Sequence, residues 1–474
     1  MAAIAVAAIL QGCHAEAARP NFLLISIDTL RADHLGSYGY HRDTSPNLDR
    51  FADKSVRYRN AYAPAPWTLP SHVAMLTGTH PFDAGISDYR SSIPPDVPSL
   101  AEELSRSGYE SVAFVDAPPG GLLGSERGFA RGFSIYRHAP HASTSPYEYD
   151  VATTVDAALD WLRQRDSKAP FFLFFHTKSV HTTPTSSTLL ARTDAPYDLP
   201  EPFGSRFLED STLRFSWTEA PDKTGATYLQ HLNERIANGD LDPSTVPPEQ
   251  RTELIDLYDG GIAYVDHHFQ RLMDGLAQLG LNEHTIIVIT ADHGEAFLDH
   301  HFFLHKEPME ALLHIPLIVH DPREKVAAIF DQRASLTAVA PSLISLAGLP
   351  VPENMSGRVL PHLSAPDAVS PTDESQFSYF RFDHDYFYEG YALTKGPWRL
   401  LYHKLAYWLE FRTELYDHRS DPNEENPIQD DPTRTKEMLA EMLRRMNREG
   451  ISAAPTIDLD DETIEHLRSL GYLT

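Results

Sequence analysis

Four short runs along the chain are apolar on both faces: Phe22–Ile27, Ser111–Val115, Phe171–Phe175 and Thr285–Thr290. Runs this short, rich in β-branched and aromatic residues, predict strands buried inside a parallel sheet. The pattern between them changes period. Leu254, Leu257, Ile262, Val265, Phe269, Leu272 and Leu276 fall at helical spacing, and Gly280 stands where such a helix stops. Strands alternating with helices predict an α/β fold, with a mostly parallel central sheet flanked by helices. Further on, Tyr391–Leu401 and Glu414–Tyr416 read as strands of a small antiparallel sheet.

Each buried run delivers a polar residue at its end. Phe22–Ile27 leads into Asp28 and Ser111–Val115 into Asp116. Phe171–Phe175 leads into His176 and then His181, and Thr285–Thr290 into Ala291-Asp292-His293-Gly294-Glu295. Open α/β sheets bind ligands at the carboxyl ends of their strands. A single Asp after a strand is usually a turn residue. Four such ends together predict a cluster of oxygen and imidazole ligands suited to a divalent cation. Between the first two strands, Thr68 stands at a predicted helix start, Pro70 fits its first turn and Gly78 reads as its C-cap. A hydroxyl there is an ordinary helix-start residue, or else one placed where N–H groups and the helix dipole favour an anion.

Composition narrows the function. The chain has 474 residues, 40 Lys+Arg and 67 Asp+Glu, a formal net charge of −27. Phosphate backbones demand a basic face, so no nucleic-acid partner is expected. One Cys excludes an internal disulfide framework and a multi-Cys metal site. That Cys13 follows the apolar run Met1–Leu10, which has the length of an export signal core. Leu10-Gln11-Gly12-Cys13 resembles the lipobox of bacterial lipoproteins. The resemblance implies export to a bacterial cell envelope and a membrane partner through a lipid on Cys13. Periplasmic or secreted release is the alternative.

Larger motifs carry a second resemblance. Arg19–Gly36, Thr44-Ser45-Pro46-Asn47-Leu48-Asp49, Thr68–Gly78, Thr290–Glu295, and Glu414-Leu415-Tyr416-Asp417 with Asp421-Pro422 resemble the sulfatase family of the alkaline-phosphatase-like superfamily. The resemblance spans about residues 19–428. It implies a metal site of Asp28, Asp292 and His293, completed by Thr68 as nucleophile, with Thr29 where a second Asp usually stands. It implies that His181 and Lys306 (or His305) contact the transferred group or protonate the leaving oxygen. His72 occupies the place of the usual Arg. One divalent cation is implied, Ca by family, with Mn, Mg, Fe or Zn also admitted by the ligands.

Sulfatases oxidise Cys or Ser at the nucleophile position to formylglycine. Thr68 would leave a ketone, so no formylglycine is expected, and Thr is the plain nucleophile of the superfamily's phosphodiesterases. The expected activity is metal-dependent hydrolysis of a small-molecule or glycan sulfate or phosphate-type ester through a covalent enzyme ester. Phosphodiester or phosphonate ester preference follows from Thr68. The alternative is a catalytically silent surface lipoprotein that binds a ligand or partner. Three segments follow: 1–19 as signal and tether, 20–365 as catalytic domain with an insertion at 182–250 over the site, and 366–474 as a subdomain with an antiparallel sheet and an acidic helical tail. The dense histidines at His300, His301 and His314 read mainly as solvated or packing residues, and the acidic run Glu424-Glu425 as a solvated loop.

Overall fold

A computed structural model describes residues 19–138, 150–166, 168–182, 196–197, 199–208, 225–324, 327–363, 375–381, 388–405, 410–447, 452–461 and 463–464. The apolar run Met1–Leu10 read as an export signal and Cys13 lie outside the described residues, as does much of the segment 182–250. No described helix is long and apolar enough to cross a membrane.

The central sheet contains β1 (Asn21–Ile27), β2 (Val56–Tyr62), β3 (Glu110–Val115), β4 (Ile135–His138), β5 (Phe171–Thr177) and β6 (Thr285–Ala291). A hairpin, β7 (Ala296–Asp299) and β8 (Phe302–Leu304), stands apart from it. The sheet is completed by β9 (His314–His320), β10 (Ala328–Phe330) and β11 (Ala334–Ser335). Its order is β10-β2-β9-β6-β1-β5-β3-β4, with β11 also on β2. The block β6-β1-β5-β3-β4 is parallel throughout, while β9 runs antiparallel to both β6 and β2. This is the mixed, mostly parallel sheet that the strand–helix alternation predicts.

Burial on both faces explains the unbroken apolar runs. Every residue of β5 and β6 is buried. Register then sets the edge. Ile27 lies opposite Ala291 on one side and Thr177 on the other, and Val115 lies opposite His176. The ends of β1, β3, β5 and β6 are therefore level, and Asp28, Asp116 and Asp292 emerge from one rim.

Helices cover the faces: α1 (Pro46–Ala52), α2 (Thr68–Thr77), α3 (Leu100–Arg106), α4 (Val151–Gln164), α5 (Gly225–Ala237), α6 (Pro248–Gln278), α7 (Glu310–Leu313) and α8 (Val339–Leu346). The long α6 is the helix read from residues 254–276, and Gly280 follows its end at φ +69°. It passes close to the site loops. A Cβ on Gly260 would meet the Phe203 carbonyl oxygen at 2.4 Å, so only glycine permits that approach.

The C-terminal part is a four-stranded antiparallel sheet, β12 (Gln376–Arg381), β13 (Tyr388–Lys395), β14 (Trp398–Leu405) and β15 (Glu410–Asp417), with α9 (Pro432–Met446). Two sequence readings are corrected here. Residues 391–401 are not one strand: Gly396, at φ +54°, turns β13 into β14. A hairpin requires that left-handed residue, and Pro397 beside it donates no ladder hydrogen bond. Glu424 is not solvated either. It is buried, bonded by Arg399 Nη1 at 3.1 Å and His418 Nε2 at 2.9 Å. Arg399 also pairs with Glu310 of α7, which ties the C-terminal sheet to the central domain. His300 faces this network too, 3.7 Å from Glu424.

Candidate active site

The rim residues converge. His293 Nε2 lies 3.4 Å from Asp292 Oδ2 and 3.6 Å from Asp28 Oδ1. Asp28 Oδ1, Asp292 Oδ2 and His293 Nε2 are all buried and have no hydrogen-bond partner among the described residues. An orphaned buried polar atom is costly, and three aimed at one point are hard to explain without a bound partner. The other polar side-chain atoms of Asp292 and His293 are satisfied. Asp292 Oδ1 accepts from the backbone N–H of Thr29 at 3.2 Å and of His293 at 2.9 Å. His293 Nδ1 donates to the Gly294 carbonyl at 2.9 Å, so in the neutral ring Nε2 carries the lone pair. Two carboxylate oxygens and one imidazole nitrogen, all within 4.8 Å of one another, fit a divalent cation.

The electrostatics point the same way. Burial, then Asp292, pushes the Asp28 carboxyl well above its ordinary range. Asp292 is raised too, chiefly by burial. Burial pushes His293 down to about 3. The cluster has acids that resist ionisation and an imidazole that resists protonation, which is the condition a cation relieves. A second group of ligand-type side chains, Glu310, His418 and Glu424, already holds the Arg399 guanidinium and is an ion-pair network.

The rim loop after β1 is strained. Thr29 has φ +57°, uncommon for a β-branched residue. Its hydroxyl donates to the Asp28 carbonyl at 2.7 Å, which turns it onto its own backbone. Tyr258 of α6 staples the loop, its hydroxyl donating to the Thr29 carbonyl at 2.7 Å and accepting from Arg31 N–H at 2.8 Å.

Thr68 is the first residue of α2, and Gly78 caps that helix at φ +62°. All ten residues of α2 are buried. His72, one turn on, donates from Nδ1 to the Thr68 carbonyl at 2.8 Å and accepts at Nε2 from Ser26 Oγ at 2.9 Å. The same Nδ1 is 3.6 Å from Asp292 Oδ2. Burial lowers the His72 pKa, so the ring is neutral. It links the start of α2 to the carboxylate cluster without supplying the fixed charge an Arg would. His176 lies beneath, with Nε2 3.8 Å from Asp28 Oδ2, its pKa pushed well down by burial.

On the far side, the His305 ring is 4.7 Å from His293 and 5.1 Å from His181, centroid to centroid. Burial holds His181 and His305 down at about 3 each. Lys306 has Glu234 of α5 as its charged neighbour, and burial lowers it to about 8. The structure thus brings Asp28, Asp292, His293, His72, His176, His181 and His305 together. Asp116 sits one strand over, bonded by Thr177 Oγ1 at 2.8 Å and pushed up by burial to about 6. His314 lies away from the cluster, with Nε2 2.8 Å from the Arg59 carbonyl.

Two participants escaped the sequence reading. Ser26 points from within β1, with no motif to mark it. Glu295 is fully buried, with Oε1 3.1 Å from His305 Nδ1 and Oε2 3.5 Å from the Tyr197 hydroxyl. Burial raises it to about 7. An acid next to an Asp-His-Gly turn was the available signal.

This α/β sheet, with its carboxylate–imidazole rim beside a hydroxyl-bearing helix start, defines a hydrolase of the alkaline-phosphatase-like superfamily. The sulfatase family model matches residues 20–349, and a model described as N-sulphoglucosamine sulphohydrolase, C-terminal, matches residues 297–451. The chain belongs to the sulfatase family and is an ester-bond hydrolase. It is 24% identical over 489 residues to an N-acetylglucosamine-6-O-sulfatase of Bacteroides thetaiotaomicron, covering 90% of this chain and 86% of that one. Among solved structures it is similar to a phosphonate monoester hydrolase of Agrobacterium radiobacter, at TM-score 0.67, 21% identity, and 90% and 95% coverage. It is equally similar to a protein solved with its substrate D-glucosamine-2-N,6-O-disulfate, at TM-score 0.67, 20% identity, and 90% and 98% coverage.

Proposed function

We propose that this hydrolase is metal-dependent, that Thr68 is its nucleophile, and that it cleaves sulfate- or phosphate-type esters of low charge, phosphodiesters or phosphonate esters foremost. The observation that carries the reading is the convergence of the three orphaned atoms, Asp28 Oδ1, Asp292 Oδ2 and His293 Nε2, beside the helix start that bears Thr68. A divalent cation held by these three residues would lower the pKa of a nearby hydroxyl and offset charge on the transferred group.

The chain's own residues supply the rest. Thr68 Oγ attacks the sulfur or phosphorus, the bond to the leaving oxygen breaks, and the proton given up by the Thr68 hydroxyl reaches that oxygen by way of His181 or His305. Water then cleaves the Thr68 ester and restores the hydroxyl. His72 holds the Thr68 carbonyl and so the turn that aims the hydroxyl. A neutral imidazole at His72 stands where the resemblance places an Arg, and His181 and His305 across the cluster are neutral as well. That favours an ester with one negative charge, such as a phosphodiester, a phosphonate monoester or a sulfate ester, over a dianionic phosphate monoester.

The test is a substrate panel on purified, metal-loaded protein: aryl sulfate, a glucosamine sulfate, phosphate monoester, phosphodiester and phosphonate ester, with Thr68→Ala as control. Diester or phosphonate turnover that Thr68→Ala abolishes is the expected result. Turnover that survives Thr68→Ala unchanged refutes the nucleophile. Much faster turnover of aryl sulfate refutes the preference for phosphorus.

A further inference from the structure

We infer that Glu295 is a positioning residue that locks the His305 imidazole into one tautomer and one orientation toward the carboxylate–imidazole cluster. The inference rests on the reading that this cluster turns over an ester. His305 Nδ1 and Glu295 Oε1 lie 3.1 Å apart, and with Glu295 ionised Nδ1 is the donor. The proton is thereby fixed on Nδ1, and Nε2 lies on the side of the ring away from the carboxylate. A histidine oriented by a buried acid is a recurrent way to keep one ring nitrogen ready as a hydrogen-bonding or proton-transferring atom.

Glu295 is itself immobilised on every side. Its backbone carbonyl accepts from Arg31 Nη1 at 3.0 Å, and Arg31 is in turn paired with Asp33 and Asp299. The adjacent Gly294 N–H donates to the Leu312 carbonyl at 2.8 Å. The second carboxylate oxygen accepts from Tyr197, a buried residue of the 182–250 insertion whose ring packs 5.9 Å from Tyr258.

His305, by contrast, arrives on a strained segment. Leu298, His300, His301 and Leu304 all have positive φ, between 49° and 71°, without being glycine. Such backbone persists only where its surroundings over-determine it. The β7–β8 hairpin ends at Leu304, directly before His305. The Glu295–His305 hydrogen bond closes the ten-residue excursion, joining the rim turn to the far end of the strained hairpin. The same acid therefore sets the ring's position and, through Tyr197, ties it to the insertion.

The experiment compares Glu295→Ala and Glu295→Gln with the parent by two readouts. The first is imidazole ¹⁵N NMR of histidine-labelled, metal-loaded protein, with the His305 signals assigned by their loss in His305→Gln. An Nδ1-protonated His305 is expected in the parent and in Glu295→Gln, whose amide oxygen still accepts, and it is expected to be lost in Glu295→Ala. The second is steady-state kinetics. A fall in kcat of about 10-fold or more in Glu295→Ala, with KM within about threefold and near-parent rates in Glu295→Gln, is expected from the loss of a residue that orients another. An unchanged His305 tautomer in Glu295→Ala overturns the inference. So does a Glu295→Gln variant as slow as Glu295→Ala, or a Glu295→Ala variant within twofold of the parent. Should the parent turn over no ester, the proposed function fails while the NMR readout still decides Glu295. Should Glu295→Ala not fold, Glu295→Met fills the volume and serves in both readouts.

Discussion

Two buried carboxylates facing one another must repel unless something positive lies between them, so cutting one charge should help the protein in one condition and harm it in another. Asp28 and Asp292 are 5% and 0% exposed, and their ligand oxygens lie within 4.8 Å. At that separation and an effective dielectric of about 20, two unit charges repel by about 3.5 kcal/mol. Asp292→Asn removes that repulsion. It also keeps the Oδ1 acceptor for the Thr29 and His293 N–H groups and sets an amide donor 3.4 Å from His293 Nε2. Without cation, and at a pH high enough to ionise Asp28 as well as Asp292, the variant should melt higher than the parent. Unfolding entropy of roughly 2 cal/mol/K per residue makes 1 kcal/mol worth about 1 °C in a chain this long, so a rise of about 3 °C is expected. Saturating divalent cation, at a thousand times its Kd, should raise the parent by about 4 kcal/mol, or about 4 °C, and the variant far less.

A pH dependence follows from the same pair. Asp28 is held well above its ordinary range, so the cation-free native state keeps a proton that the unfolded chain releases. Stability contributed this way is full below the ordinary Asp pKa of about 4 and is lost as pH rises through the elevated value. Between pH 5 and pH 8 the chelated parent should therefore lose stability relative to chelated Asp292→Asn, a comparison in which the buried histidines common to both chains cancel, and bound cation should flatten the difference. Thermal melts in chelator and in Ca, Mn, Mg or Zn, at both pH values, read all of this. A chelated Asp292→Asn that melts below the parent at pH 8, or one that gains as much from cation as the parent does, would refute the reasoning.

Two further outcomes come from the packing around the site. Arg399→Met leaves the buried Glu424 and the half-buried Glu310 without their guanidinium, and the loss of one partner of such a buried pair typically costs about 3–5 kcal/mol. Thermal melting should show a drop of several degrees, partly restored by adding Glu424→Gln. Tyr258→Phe removes the hydroxyl that bridges the Thr29 carbonyl and the Arg31 N–H, at about 1–3 kcal/mol. With the strained Thr29 turn loosened, titration calorimetry should show weaker divalent-cation binding than in the parent; equal affinity would mean that the staple does not hold the ligand loop.

The parts of the site legible in the chain were those set by local pattern. Asp28, Asp116 and Asp292 follow uninterrupted apolar runs, and parallel pairing of those runs places their ends at one rim, whatever the loops between them do. The helix start at Thr68 and its stop at Gly78 are equally local. Glu424 reads as solvated because an acidic loop usually is, whereas its partners Arg399, 25 residues away on a strand, and His418 make its burial possible. The Tyr391–Leu401 reading missed a turn because Gly396 and Pro397 interrupt an otherwise continuous aromatic and aliphatic pattern.

By itself, then, the sequence determined a buried parallel sheet, its polar rim and the small antiparallel sheet behind it, because periodicity and chain-breaking residues act over a few positions. Only the tertiary structure decided which side chains meet. Lys306 and His305 are adjacent in sequence, yet the hairpin's positive-φ backbone sends His305 beside His293 and leaves Lys306 with Glu234. Glu295, Ser26 and Tyr197 join the site through contacts fixed by register, side-chain direction and close packing, quantities that exist only once distant segments share a surface.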